Sequence, residues 1–535
     1  MGYIMITVNN LSLEFPDKKL FEDVDLIFSP GNCYGIIGAN GAGKSTFLKI
    51  LSGELEPSSG TVSFTKNSSM SKLKQDHYVF EEFEVLETVL MGHEELYKIQ
   101  KEKDAIYMKE DFSDEDGIRA AELEAEYAEL GGYESESEAS SLLQGLGIDV
   151  SKHYMLMSEL IESDKIKVLL AQALFGKPDI LLLDEPTNGI DLRAILWLQE
   201  FLINFDGIVI VVSHDRYFLN EVCTSMVDID FGKITMFTGN YDFWYESSQL
   251  ALKMAKDENK KKEDKVKELK EFIQRFSANK SKSKQATSRK KLLEKITLDD
   301  IKPSTRRYPF VGFTLSREPG NEILNISNLN IEENGKTLLK DFNLRVEKND
   351  KIAFVGNEIA ITKFFDMINI DEENLDKSIQ WGQTMTKEYF PKDNSEFFEN
   401  VDCNLVDWLR QYSKDQTETF IRGFLGKMLF SGDEVYKSAK VLSGGEKVRM
   451  MFSKMMIHPA NILIFDQPTN HLDLESIEAV NNGLISFKGN ILFTSHDHQF
   501  VNSIANRIIE IFDDGTYRDE KITYDEYIEK YVVGN

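Results

Sequence analysis

The sequence predicts an α/β protein in which one domain occurs twice in tandem, with a helical arm inserted in the first copy and a helical hairpin between the copies. Three observations carry this: an internal repeat, apolar strand-like runs that end at glycine-rich or acidic turns, and two segments that fall outside the repeat. Leu20-Phe21-Glu22-Asp23-Val24 returns as Leu338-Leu339-Lys340-Asp341-Phe342, and Gly38 matches Gly356, 318 residues on. The run ILLLDEPTN at 180–188 returns as ILIFDQPTN at 462–470, and Ser213-His214-Asp215 returns as Ser495-His496-Asp497, now 282 residues on. The offset falls by 36, so the first copy holds that many extra residues ahead of Asp184. They lie within 83–143, where Glu and Asp dominate and Leu123, Tyr127 and Leu130 recur at helical spacing. A chain of 535 residues exceeds what one core sustains, and the repeat divides it into 5–243, 244–319 and 320–535.

A hydrophobic content of 41% with 28% charged residues describes a globular chain rather than a disordered one. Apolar runs such as Ile208-Val209-Ile210-Val211-Val212 fall far short of the ~20 residues of a membrane helix, so no membrane partner is expected. The first residues, MGYIMITVNN, lack a charged region followed by a long apolar one, so no secretory signal is expected. Cys33, Cys223 and Cys403 read as isolated, with neither disulfide-framework nor metal-ligand spacing. A reducing cytoplasm without disulfide-linked partners fits them. The net charge of -28 excludes wrapping nucleic acid with the whole surface, but it hides a local asymmetry described below.

The chemistry begins at Gly38-Ala39-Asn40-Gly41-Ala42-Gly43-Lys44-Ser45-Thr46, which follows the strand-like run 33–37 and opens an amphipathic helix. That setting makes the stretch a P-loop: glycines let backbone N–H groups converge on a polyphosphate, and the helix N-terminus adds partial positive charge. Lys44 would reach the β- and γ-phosphates of ATP, and the Ser45 hydroxyl would ligate Mg²⁺. Asp184, ending an apolar strand, would hold Mg²⁺ directly or through water, and Glu185 beside it is placed to orient or deprotonate the attacking water. His214 follows the strand 208–212 and can reach a γ-phosphate, while Phe15 is placed to stack on a base. In the second copy Ser443, Gly444, Gly445 and Glu446 form another glycine-rich helix start able to cap a phosphate.

Between the copies, Leu252, Ala255, Val266, Leu269, Phe272 and Phe276 mark a long amphipathic helix, and a second helical stretch at about 288–297 would close a hairpin. Arg275, Lys280, Lys282, Lys284, Arg289, Lys290 and Lys291 are seven basic residues in a run with no acidic one. Residues 253–307 carry 19 Lys and Arg against 9 Asp and Glu, so this segment is strongly basic in an otherwise acidic chain. A charge run is usually a solvated helix face, and an acid-free tip on an otherwise acidic chain weighs against that reading.

The P-loop, LSGGE, DEPTN strand and SHD segment together resemble the ATP-binding cassette superfamily. Two cassettes in one chain, an arm in the first and a basic hairpin between them resemble the ABC-F family of translational ATPases. The resemblance implies two cassettes that close face to face in a monomer, each ATP lying between the P-loop of one and the LSGGE signature of the other. It implies that Gln75 is the Q-loop residue that meets Mg²⁺ and nucleotide. It further implies binding to the ribosome near the tRNA exit site, with the hairpin on rRNA and tRNA. The competing reading is a twin-cassette ATPase subunit of a membrane transporter, which has no need of an acid-free hairpin.

Departures from the pattern all fall in one composite site. The second P-loop reads Gly356-Asn357-Glu358-Ile359-Ala360-Ile361-Thr362-Lys363: isoleucines replace glycines and Thr362 stands at the lysine position. Glu333 stands where Phe15 stands, Lys392 aligns with Gln75, and Gln467, next to Asp466, replaces the glutamate ahead of His496. The first copy, which should supply the signature for that site, has Leu160-Ile161-Glu162-Ser163-Asp164, with two carboxylates expected to face the polyphosphate, and its D-loop Asn188-Gly189-Ile190-Asp191 departs from Asn470-His471-Leu472-Asp473. One hydrolytic site and one degenerate site are expected.

Overall fold

A computed structural model describes residues 5–533 except 17, 40, 67, 75, 77, 252, 255, 256, 258, 259, 261–266, 268–305, 307, 321, 334, 371–374 and 400. The first cassette begins with β1 (Ile6–Phe15), β2 (Lys18–Phe28), β3 (Asn32–Gly38), α1 (Lys44–Leu51), β4 (Ser59–Phe64) and β5 (Met70–Lys72). The arm follows as α2 (Val85–Leu90), α3 (Glu94–Tyr107), α4 (Asp114–Glu129) and α5 (Ser135–Gly145). It is completed by α6 (Glu162–Leu174), β6 (Ile180–Asp184), α7 (Leu192–Ile203), β7 (Ile208–Val212), α8 (Arg216–Val222), β8 (Ser225–Asp230) and β9 (Lys233–Thr238). Strands pair in the order β5-β6-β7-β3-β8-β9, parallel except for β9, beside a smaller antiparallel sheet β2-β1-β4. Helices and the small sheet cover the large one, which is why β6 and β7 read as unbroken apolar runs rather than alternating ones.

The second cassette repeats the plan with β10 (Leu324–Glu333), β11 (Lys336–Val346), β12 (Lys351–Gly356), α9 (Glu358–Asn369), β13 (Ile379–Trp381) and β14 (Lys387–Phe390). Then come α10 (Leu405–Arg410), α11 (Glu418–Lys427), α12 (Gly444–Ile457), β15 (Ile462–Asp466), α13 (Leu474–Ser486), β16 (Asn490–Thr494), α14 (His498–Ile504), β17 (Arg507–Ile511) and β18 (Tyr517–Glu520). Its sheets, β14-β15-β16-β12-β17-β18 and β11-β10-β13, match the first pair strand for strand, so the duplication read from the sequence is a duplication of topology.

The arm is helical as its spacing implies. Ser113 caps α4 through a reciprocal pair with Asp116, and Leu123 and Tyr127 bury its inner face in the first cassette's core together with Ile99 and Ile106 of α3. At the ends of 244–319, Trp244 is buried in the first cassette's core and Val311 in the second's. The basic run Arg275–Lys291 and the expected hairpin lie outside the described residues. No helix among the described residues is long and apolar enough to cross a membrane. Cys33 and Cys223, expected to be isolated, are both buried with their Sγ atoms 3.8 Å apart, because β3 and the C-terminus of α8 meet in the core; they remain free thiols.

The cassettes meet through equivalent residues. Leu474, the residue after Asp473, packs into the first cassette's core, while Leu192, the residue after Asp191, packs against the second's. Tyr217 stacks on His498 with centroids 3.8 Å apart, and Tyr245 donates a hydrogen bond to Glu478 at 2.7 Å. This self-complementary exchange is what a two-fold interface between like domains produces.

Candidate functional site

The first P-loop owes its shape to two glycines: Gly41 has φ +74° and Gly43 has φ +107°, and Gly43 is the N-cap of α1. A side chain at either position is strained in that backbone. A Cβ at Gly38 would sit 2.7 Å from the carbonyl oxygen of Ile229, so the loop also leaves its strand in close contact with β8. The Lys44 ammonium lies over the loop and donates to the carbonyl of Gly38 at 2.8 Å and of Ala39 at 3.5 Å. Ser45 and Asp184 line one cavity of about 390 Å³ with Lys72, Lys74 and Asp76, which flank the position of Gln75. A hydroxyl and a carboxylate are hard oxygen donors suited to Mg²⁺, which takes its remaining ligands from water and phosphate. Phe15 ends β1 with its ring exposed. Asn40 and Gln75 lie outside the described residues; Ala42 and Thr46 are part-buried within the loop and the first turn of α1.

Glu185 adopts φ +54°, a left-handed backbone held by its N–H donating to Val212 at 2.8 Å. The turn aims its carboxylate at His214, whose backbone N–H donates to Oε2 at 3.1 Å while Nε2 lies 3.4 Å from Oε1. Burial pushes the Glu185 carboxyl up to about 8 and holds the His214 imidazole down at about 4. A histidine so lowered is neutral at pH 7, and its Nδ1 is buried without a hydrogen-bond partner among the described residues. Burial also lowers the Lys44 ammonium, opposed by Glu185, then by Glu475, Asp473 and Asp184. Two of those carboxylates belong to the other cassette. The site is therefore composite in the described chain, with the D-loop of the second cassette brought to the P-loop of the first.

The signature of the second cassette is a helix start, as expected. Ser443 is the N-cap of α12; its N–H donates to Glu446 Oε2 at 2.8 Å, and Lys437 lies 3.0 Å from Glu446 Oε1. The Glu446 carboxylate is thereby engaged within its own cassette, in a capping role rather than toward a phosphate. Gly444 and Gly445 are required by a neighbour: a Cβ at 444 would lie 3.1 Å from the His471 ring, and one at 445 would lie 2.8 Å from the His471 carbonyl. In the first cassette the equivalent positions are Glu162, Ser163 and Gly189. Signature and D-loop thus change together, side chain on one for glycine on the other.

At the second P-loop the isoleucines do more than hinder a phosphate. Ile359 and Ile361 stand where Gly41 and Gly43 take positive φ, a region closed to β-branched residues. The chain winds into helix instead: α9 starts at Glu358, capped by Asn357, whose Oδ1 accepts from Ala360 N–H at 3.0 Å. Glu358 then enters the site itself. Lys392 Nζ lies 2.6 Å from its Oε2 and His496 Nε2 2.9 Å from its Oε1, and these contacts, His496 first, bring the carboxyl down to about 2. Thr362 donates to Asp466 at 2.7 Å, Gln467 Nε2 is 3.0 Å from His496 Nε2, and Lys363 pairs with Glu333 at 2.8 Å. From the facing cassette, Asp164 does not point toward a phosphate as expected; it is buried against Lys152 at 2.7 Å because α6 turns that face inward.

Comparison with known proteins agrees with this duplicated site. The ABC transporter family model matches residues 21–188 and 334–470, and a second model of that description covers 227–313. The chain is 64% identical over 531 residues to the uncharacterized ABC transporter ATP-binding protein YkpA of Bacillus subtilis (strain 168), covering 99% of this chain and 98% of YkpA. It is 29% identical over 537 residues to ABC transporter F family member 5 of Arabidopsis thaliana, covering 98% and 77%. The chain belongs to the ABC-F family. A solved complex of archaeal ribosomal stalk protein aP1 and ribosome recycling factor aABCE1 shares the two-cassette fold with a TM-score of 0.63 at 15% identity, covering 98% of this chain and 92% of that one.

This ABC-F chain is an ATPase with two cassettes of unequal chemistry. Sequence reasoning named Asp473 only as part of the second D-loop and missed Glu475; both carry charge across the interface to Lys44. Their only sequence signal was a D-loop that stays orthodox in the second copy. It also missed Glu358, which reads as one more departure until the helix delivers its carboxylate between Lys392 and His496.

Proposed function

We propose that this ABC-F protein hydrolyses ATP at one composite site, Phe15, Gly38 to Thr46, Gln75, Asp184, Glu185 and His214 facing Ser443, Gly444 and Gly445. The second site, Gly356, Thr362, Lys363, Lys392, Asp466, Gln467 and His496, is degenerate and does not hydrolyse, with the Glu358 carboxylate held between Lys392 and His496. Lys44 and the loop amides bind the β- and γ-phosphates, and Glu185 takes the proton of the attacking water while His214, neutral, holds its orientation. Mg²⁺ at Ser45 and Asp184 would neutralise charge developing on the phosphates. ATP at Lys44 draws the two cassettes together, and hydrolysis releases them.

The partner we infer is the ribosome, near its tRNA exit site, with Arg275, Lys280, Lys282, Lys284, Arg289, Lys290 and Lys291 on rRNA and tRNA phosphates and a role in translation in the cytoplasm. The observation that carries this is the acid-free run of seven basic residues, set between two cassettes of an ABC-F chain whose total charge is -28. Glu185→Gln protein, which closes on ATP without turnover, should co-sediment with ribosomes in ATP and leave them as salt rises, since phosphate contacts release counterions. Failure to sediment, or binding untouched by Lys280→Glu, Lys282→Glu and Lys284→Glu together, overturns it.

A further inference from the structure

Arg306 stands where the chain returns from the interdomain segment to the second cassette, and it is buried between carboxylates of both cassettes. Its Nε lies 2.9 Å from Glu475 Oε1 of α13, and its other nitrogens meet Asp228 at 2.5 and 3.3 Å and Asp230 at 3.7 Å on β8. The guanidinium stacks 4.7 Å over the ring of Trp244, at the outgoing end of the same segment, and Trp244 Nε1 donates to Asp228 at 3.2 Å. Side-chain exposure is 10% for Arg306 and 7% for Glu475, so these charges interact with little screening by water.

What the clamp joins gives it meaning. Asp228 and Asp230 flank Ile229, the residue in register with Gly38 and in carbonyl contact with it. Gly38 in turn accepts from Lys44 at 2.8 Å. Glu475 is the second residue of α13, directly after Leu474, which packs in the first cassette's core, and close to Asp473 of the D-loop. One guanidinium therefore fastens the strand behind the P-loop to the D-loop that completes the same site. Two of the three acids of this clamp are not repeated at the second site: the residue equivalent to Glu475 is Arg193, and the residue equivalent to Asp230 is Phe512, while Glu510 stands for Asp228.

We propose that Arg306 is a positioning residue for ATP turnover at the Lys44 site, holding the first turn of α13 against β8 and so tying both ends of the interdomain segment to closure of that site. The idea rests on turnover residing at Lys44 and needs no particular partner for the segment. A planar fork is the group suited to three carboxylates on two elements, and lysine offers the charge without the fork.

The test is steady-state turnover and ATP affinity of the full-length protein carrying Arg306→Lys, Arg306→Gln, Glu475→Gln, or the last two together. Arg306→Gln should lower kcat about tenfold with ATP affinity within twofold, because the residue arranges the site without touching nucleotide. Arg306→Lys should recover part of the loss, and the double variant should be no slower than Arg306→Gln alone, as for two parts of one contact. Unchanged kcat in folded Arg306→Gln overturns the proposal, as does a loss confined to ATP affinity. If Arg306→Gln fails to fold, Glu475→Gln decides, since Asp228 keeps the guanidinium paired; full kcat there overturns it. Turnover in Lys44→Ala within tenfold of the unsubstituted protein would refute the site assignment itself, and is measured alongside.

Discussion

Thr362 hydrogen-bonds Asp466 at 2.7 Å, so the residue at the position of the phosphate-binding lysine spends its hydroxyl on the carboxylate that would otherwise serve Mg²⁺. In the first cassette Lys44 reaches over the loop carbonyls instead, and Asp184 opens into the cavity beside Ser45. Lys44→Ala should therefore lower turnover at least a hundredfold, consistent with loss of charge-assisted phosphate contacts that strengthen in the transition state. Thr362→Ala should leave turnover within twofold. Equal defects in the two variants, in a phosphate-release assay, would disprove a single hydrolytic site.

Glu185 supplies a pH signature. Its carboxyl is pushed up to about 8 by burial, and a general base works only when ionised. The ionised fraction grows as pH rises through that value, so kcat/KM, which reports the free enzyme, should climb between about pH 7 and 9 and then level. Glu185→Gln should abolish turnover at every pH while ATP binding persists. A rate flat over that range would remove Glu185 from the role.

Glu358 should leave the chain with one nucleotide per molecule in calorimetric titration. Its folded carboxyl lies at about 2, below the ordinary value of 4.5, so the ionised form is the one the fold favours. The stabilisation is whole above about pH 4.5 and fades as pH falls toward 2. Glu358→Gln should accordingly lower the melting temperature at pH 7 by more than at pH 4. In a Lys44→Ala background, Glu358→Ala should let inorganic phosphate raise the melting temperature, by putting an anion back between Lys392 and His496; no such rise would mean that the carboxylate does not occupy a phosphate position.

The duplicated α/β fold, the arm and both sets of motifs were legible because each rests on local pattern: apolar strands, glycines at fixed offsets, a repeat with one break in its register. What was not legible depends on distance through space. Nothing in the spacing of Cys33 and Cys223 says that β3 and α8 meet, and nothing around Asp164 says that Lys152 awaits it. Glu358 is the sharpest case. Its meaning comes from a backbone decision at Ile359 and Ile361, which removes a loop and delivers a side chain four residues before the position of Lys44.

The pairing of signature and D-loop gives a last test with two different answers. The atoms nearest to a Cβ at Gly444 belong to the His471 side chain, with Cγ at 3.1 Å and Cβ at 3.3 Å, whereas a Cβ at Gly445 meets the His471 backbone carbonyl at 2.8 Å. A ring can be removed by substitution and a carbonyl cannot. Gly444→Ala should slow turnover by displacing His471, and adding His471→Gly should restore it, since the side chain that the new methyl meets is then gone. Gly445→Ala should slow turnover further, and His471→Gly should not rescue it. Rescue of both, or of neither, would show that the glycines serve the nucleotide alone and not the packing of the two loops.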